Sequence, residues 1–363
     1  MSSSPTGAAL GIAVISADAA VDGHSAGSVR SHIRRQLLQG GVVAAAFSVA
    51  FGRDAAGQPA ATTPRIGFLA VGSREGFRAL LIEGLRQGLR ERGYIEGQNI
   101  VIEYRFSEDR NDRLPSLAAE LVALKVQLIV ASGTPASFAA KQATSTIPIV
   151  MGALAANPVE TGLVASLARP GGNITGMTMM TSDLAGKRLE LLKSLVRGLS
   201  LVAVFWNPLN PTYGPVLKEL EAVAATVGVR LQRLEVRAPG DLEGAFKTAI
   251  RQPAGALIVP GDPLTANRFK MVADLALKYR LPTTADGKEF VEAGGLLSLG
   301  PDTVDLYRRA AAHVDKILKG AKPADLPMEQ PTKFDLAVNL KTAQELGLTV
   351  PQTVLIRATH VIQ

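Results

Sequence analysis

From residue 65 onward, short apolar runs alternate with amphipathic stretches. RIGFLAV (65–71) is almost wholly apolar and predicts a buried strand. FRALLIEGLRQGLRERG (77–93) predicts a helix, with Leu80, Leu81, Leu85 and Leu89 at helical spacing and Gly93 as its stop. Strands over 99–106, 126–133, 147–153 and 173–179 then alternate with helices over 112–125, 135–144 and 158–168. The rhythm restarts with helices over 185–196, 213–228, 241–252 and 268–280. Strands over 200–207, 229–236, 255–262, 281–286 and 294–300 are interleaved with them, and a long helix over 302–320 ends at Gly320. Repeated βα units argue for parallel sheets covered by helices on both faces. Two such series in succession predict an α/β protein of two Rossmann-like lobes with interlobe crossovers. Ligands bind such lobes where strand ends and helix N-termini face a cleft.

The expected division is lobe 1 over 62–176 plus about 294–322, and lobe 2 over 177–293 plus about 323–363, the latter with a tail that crosses the hinge. LARPGGNITG (167–176) is expected to be a helix stop, closed by Arg169 and Pro170, that feeds the first crossover.

Residues 1–61 have a different character. The pair Arg34-Arg35 precedes an apolar run from Leu37 to Phe51 and then a string of small residues. That run is short for a membrane span and suits the apolar region of an export signal. With Gln36-Leu37-Leu38 after the basic pair, it resembles a twin-arginine signal cleaved near 55–63.

Composition narrows the chemistry. The chain has 363 residues, 47% of them hydrophobic but only 5% aromatic, so its cores must be aliphatic. The net charge of +7 is spread in ones and twos, as at Arg86, Arg90 and Arg92, whereas a nucleic-acid footprint would cluster. No cysteine is present, which removes disulfides, thiolate nucleophiles and cysteine metal sites. His24 and His32 lie in the leader, and His313 and His360 are isolated, so neither a metal site nor a histidine triad is expected. The glycines of GFLAVGSREG have the wrong spacing for a dinucleotide loop. Gly186-Lys187-Arg188 and Gly287-Lys288-Glu289 do not complete a phosphate loop. These residues call for no cofactor, no metal and no catalytic group.

Three stretches carry a resemblance. NPVETGLVASLARPGGNITG, the run from EFVEAGGLLSLGPDTVDLYRRAAAHVDKILKG through PADLPMEQPTKFDLAVNLKTAQELGLTVP, and VLIRATHVI closely resemble the ABC-transporter substrate-binding protein family, which includes tryptophan/tyrosine-type binding proteins. The resemblance spans about 64–363 and implies a type I periplasmic binding protein fold. It implies a periplasmic, monomeric receptor that captures a small polar solute, an amino acid or a carboxylate, between its lobes. The receptor would deliver that solute to an inner-membrane permease. An exported α/β enzyme or a ligand-sensing protein of the same fold is the alternative.

Carried over by position, the family's ligand loops fall at 72–75, 132–137, 153–159, 206–211, 260–267 and 285–290. They bring Ser73, Arg74, Gly133, Thr134, Asn157, Asn207, Asn210, Asp262 and Asp286 forward as ligand-binding residues. Gly133-Thr134 opens a helix whose free N–H groups suit a carboxylate. Asn207 and Asn210 offer donors and acceptors, and Asp262 suits a ligand ammonium. Trp206 or Phe290 would either stack on a ligand ring or belong to the core. Asn157-Pro158-Val159 departs from the family's usual Asp-Pro-Val and removes a negative charge near the expected cleft. Arg357-Ala358-Thr359-His360-Val361 departs from its usual Arg-Ala-Asp-Glu-Val.

Overall fold

The computed structural model describes residues 63–179 and 182–363; the export-signal expectation lies outside them. The first half of the chain forms β1 (Arg65–Ala70), α1 (Phe77–Arg90), β2 (Val101–Phe106) and α2 (Leu114–Ala123). It continues through β3 (Leu128–Ser132), α3 (Thr134–Ala143), β4 (Ile149–Leu154) and β5 (Ile174–Thr178). Their strands make an all-parallel sheet in the order β2-β1-β3-β4-β5. Ile66, Phe68, Leu69, Leu128, Ile129 and Val130 are fully buried, as strands covered on both faces require.

The second lobe begins with α4 (Ser182–Leu195), β6 (Leu201–Trp206), α5 (Tyr213–Val227), β7 (Arg230–Glu235) and α6 (Asp241–Arg251). It runs on through β8 (Ala256–Ile258), α7 (Pro263–Ala266), α8 (Phe269–Lys278), β9 (Thr283–Ala285), α9 (Lys288–Glu292) and β10 (Leu297–Gly300). Then come α10 (Thr303–Leu318), β11 (Asp335–Asn339), α11 (Leu340–Glu345), α12 (Gln352–Leu355) and β12 (His360–Ile362). The second sheet runs β12-β11-β10-β9-β8-β6-β7, parallel except where β11 meets β10.

The expected boundaries need two corrections. The segment 294–322 does not go to lobe 1 as a unit. Its strand, β10, pairs with β9 and β11 in the second sheet, while its helix, α10, buries Leu306, Tyr307, Ala310 and Val314 in the first lobe's core. The tail likewise does not leave at 323. Met328 is buried in the first lobe's other core, and Glu329 bridges Met177, before β11 returns to the second sheet. The physical reason is packing: α10 has an apolar face that fits against α1, and β10 has two strand neighbours waiting.

The helix expected over 158–168 is absent, replaced by turns. Side chains there bond to the backbone instead. Asn157 Oδ1 accepts from the Val159 N–H at 3.1 Å, and the Thr161 hydroxyl donates to the Asn157 carbonyl at 2.9 Å. Such local bonds compete with a helix's own ladder. Arg169 therefore closes no helix. LARPGGNITG instead anchors the returning tail: the Met328 N–H donates to the Leu167 carbonyl at 2.8 Å, and the Glu329 N–H to the Gly176 carbonyl at 2.9 Å.

Candidate functional site

A cleft between the lobes encloses about 660 Å³ of non-protein space, counted out to its open mouth. Its walls are mostly apolar, with Phe77, Leu81, Met179 and Phe269 among them. Polar groups enter from both sides. Lobe 1 supplies Arg78, Gly133, Thr134 and Tyr307, and lobe 2 supplies Asn210, Asp262, Thr265 and Asp286. An apolar cavity with a few fixed polar groups is the usual form of a small-molecule site.

The lobes touch across this cleft. Thr212 Oγ1 donates to Thr134 Oγ1 at 2.8 Å. Arg268, ahead of α8, pairs with Asp109 of the loop after β2. The rings of Phe77 and Phe269 meet with centroids 5.9 Å apart.

Gly133 begins α3 because its φ of +95° suits glycine far better than any residue with a Cβ. Pro135 in the first turn has no N–H, so Thr134 and Ala136 carry the turn's free donors. These lie at the C-terminal end of β3, where an anion is favoured by the helix dipole.

Asp262 is buried and caps α7, its Oδ1 accepting from the Leu264 N–H at 2.7 Å. Its Oδ2 accepts from Asn210 at 3.0 Å and from Asn207 at 3.3 Å. The carboxylate at this strand end therefore has a structural explanation that the sequence did not reveal. Burial pushes its pKa up, and the donated hydrogen bonds from Asn210, Leu264 and Asn207 oppose that shift. Asp286 is paired with Arg188 of α4, Nη1 to Oδ1 at 2.9 Å, and Arg188 Nε donates to the Leu299 carbonyl at 2.8 Å. Burial raises the Asp286 pKa against the pull of the Arg188 charge.

Of the residues brought forward from sequence, the structure gathers Gly133, Thr134, Asn210, Asp262 and Asp286 around the cleft. Asn207 stands behind Asp262 as a donor. Ser73, Arg74 and Asn157, expected at the ligand, do not line this cleft. The Ser73 hydroxyl accepts from the Glu75 N–H at 3.4 Å in an exposed turn. The exposed Arg74 guanidinium lies 4.6 Å from the centroid of the Tyr104 ring. Asn157 serves its own turn and donates to Glu160 at 3.1 Å. Trp206 packs against the second lobe's core, and the fully buried Phe290 packs edge-on to Phe269 at 5.5 Å.

Arg78 and Tyr307 were missed. Arg78 did leave a signal, since it precedes Leu81 and Leu85 by three and seven residues and so lies on the buried stripe of α1. Among the described residues, no group of three or more His, Cys, Asp or Glu is placed to hold a metal.

Glu289, in the first turn of α9, has its carboxyl pushed up from 4.5 to about 7 by burial. Between those values the native chain holds a proton that the unfolded chain has released, so the contribution of Glu289 to stability falls as pH rises through that window. We expect this group to lower the stability of the unliganded protein, followed by thermal melting, by about 2 kcal/mol between pH 5 and 7.5. Glu289→Gln should remove that component; an unchanged pH profile in the variant would assign the slope to other groups.

Two lobes of parallel sheet, joined by crossovers and closed over a shared cleft, define a type I periplasmic binding protein fold. The chain belongs to the ABC transporter substrate binding protein family, whose model matches residues 73–362. It is 28% identical over 268 residues to a tyrosine-binding protein of Clostridioides difficile (strain R20291), covering 73% of this chain and 76% of that one. Among solved structures, it matches a domain from Streptococcus pneumonia in complex with L-Trp with a TM-score of 0.76 at 29% identity. That match covers 83% of this chain and 100% of the other. A ligand-free, open structure of a substrate binding protein with adhesive properties from Clostridium difficile gives a TM-score of 0.57 at 26% identity, covering 83% and 99%. Two of these relatives are thus named for binding a solute, and the third was solved with an amino acid bound.

Proposed function

We propose that this chain is an exported receptor that captures an amino acid in its interlobe cleft and delivers it to a membrane permease. The observation that carries this reading is the division of the cleft's polar groups between the lobes. The opened α3 N-terminus on lobe 1 suits a carboxylate, and Asp262 on lobe 2 suits an ammonium, with apolar walls between them. A solute bridging the two would favour the closed arrangement through its differential contacts. Tyrosine and tryptophan, named for the relatives, head the candidate solutes. The basic pair and apolar run before residue 62 support export.

Calorimetric titration of the full chain with the common amino acids is the direct test. We expect saturable binding of at least one of them with a dissociation constant of about micromolar order, and no turnover. Absence of binding across the panel would refute the amino-acid reading.

A further inference from the structure

Arg78 is the cleft's least expected residue. It is only 3% exposed, yet it lines the cavity beside Gly133 and Thr134. Its Nη1 donates to the Ser132 hydroxyl, and that hydroxyl is hydrogen-bonded to the phenol of Tyr307. Ser132 ends β3 immediately before α3. The guanidinium is thereby held at the start of α3, next to the helix's free N–H groups.

The charge of Arg78 is uncancelled. Among the described residues, no carboxylate stands within ion-pair distance of it, and its Nε is buried without a partner. Asp109 acts on it only through space and is already engaged by Arg268. Across the cleft, Asp286 is neutralised by Arg188. A buried guanidinium keeps its proton, and an unpaired buried charge is costly. The arrangement therefore stores a demand for an anion at one point, where a helix N-terminus makes the same demand.

We propose that Arg78 reads the carboxylate of the solute, jointly with the N-terminus of α3, so that only carboxylate-bearing solutes close the cleft. This rests on the receptor reading above and assigns one residue within it. The planar fork of the guanidinium and the aligned N–H groups suit a planar oxyanion geometrically. A solute amide would leave the charge buried and unmatched.

The test uses the full-length chain and its Arg78→Gln and Arg78→Lys variants. Each is titrated calorimetrically with amino acids, the matching amino-acid amides and the matching acids lacking the amino group. For the wild type, we expect carboxylate solutes to bind and their amides to lose about a hundredfold in affinity. Arg78→Gln should lose roughly thirtyfold or more, with Arg78→Lys recovering part of it. The melting temperature of unliganded Arg78→Gln should not fall, because a buried unpaired charge has been removed.

A Gln variant that melts normally and binds within about threefold of wild type overturns the assignment while leaving the receptor reading intact. Amides that bind as tightly as acids do the same. If the wild type binds no carboxylate of the panel, both readings fall. If acids without an amino group bind best, and do so through Arg78, the amino-acid reading falls and this assignment stands.

Discussion

Gly88→Val is expected to lower the melting temperature by roughly 10 °C, through a loss of about 3 kcal/mol or more. Gly88 lies at a close approach of α1 and α10. A Cβ built there would meet the Arg308 carbonyl oxygen at 2.0 Å and the Ala311 methyl at 2.8 Å. One turn earlier, a Cβ on Gly84 would meet the Val304 carbonyl at 2.6 Å. The obstacles at Gly88 include backbone and a methyl group, neither of which can swing away. Valine must therefore push the helices apart, and the core between them holds Leu85, Leu89, Ala310, Ala311 and Val314. Gly244→Ala in α6 is the control. Nothing lies within 4 Å of the added atom, and alanine favours the helix, so a small gain of about 0.5–1 kcal/mol is expected. Thermal melting followed by circular dichroism reads both. A Gly88→Val protein that melts with the wild type would mean that the two helices do not pack as described.

The second large effect concerns the buried pair in lobe 2. Arg188 is 1% exposed, and it is the cation facing the buried Asp286 carboxylate. Arg188→Met leaves that carboxylate without a cation, a loss of about 3–5 kcal/mol at neutral pH. The pH dependence follows in sign. With its cation gone, the folded-state pKa of Asp286 rises further above that of the unfolded chain. The native state then holds a proton more tightly, so the deficit is smallest at low pH and grows as pH rises through the folded pKa. Urea unfolding at pH 5 and pH 7.5 should show that difference. Arg188→Met combined with Asp286→Leu removes both charges and should recover most of the loss. If the double variant is no more stable than the single one, charge burial is not the cause.

How much of this was visible in the chain can be judged residue by residue. The apolar run 65–71 and the spacing of Leu81, Leu85 and Leu89 led directly to β1 and α1, because local burial patterns are written in period and polarity. The same logic failed at 158–168. Val159, Leu163 and Val164 have helical spacing, but Asn157 and Thr161 spend their side chains on the backbone and hold a series of turns. Asp262 was visible as a cleft residue, but its bonds to Asn207 and Asn210 were not, since they span 55 and 52 residues of chain. Arg78 is legible as a charge on the apolar stripe of α1, but it belongs to no motif that would mark it as a ligand contact.

The sequence by itself determined the α/β class, the two-lobe rhythm and the family, because these rest on periodicity and on long runs of matching residues. It also located five of the cleft residues, Gly133, Thr134, Asn210, Asp262 and Asp286, by position. Only the tertiary structure decided where the chain changes lobes, sending β10 to one sheet and α10 to the other core. A strand goes where its hydrogen-bonding edges are met and a helix where its apolar face is covered, and neither partner is adjacent in sequence. The charge balance of the cleft was settled at the same level. Asp286 is cancelled by a residue 98 positions before it, whereas Arg78 meets no carboxylate within ion-pair distance among the described residues.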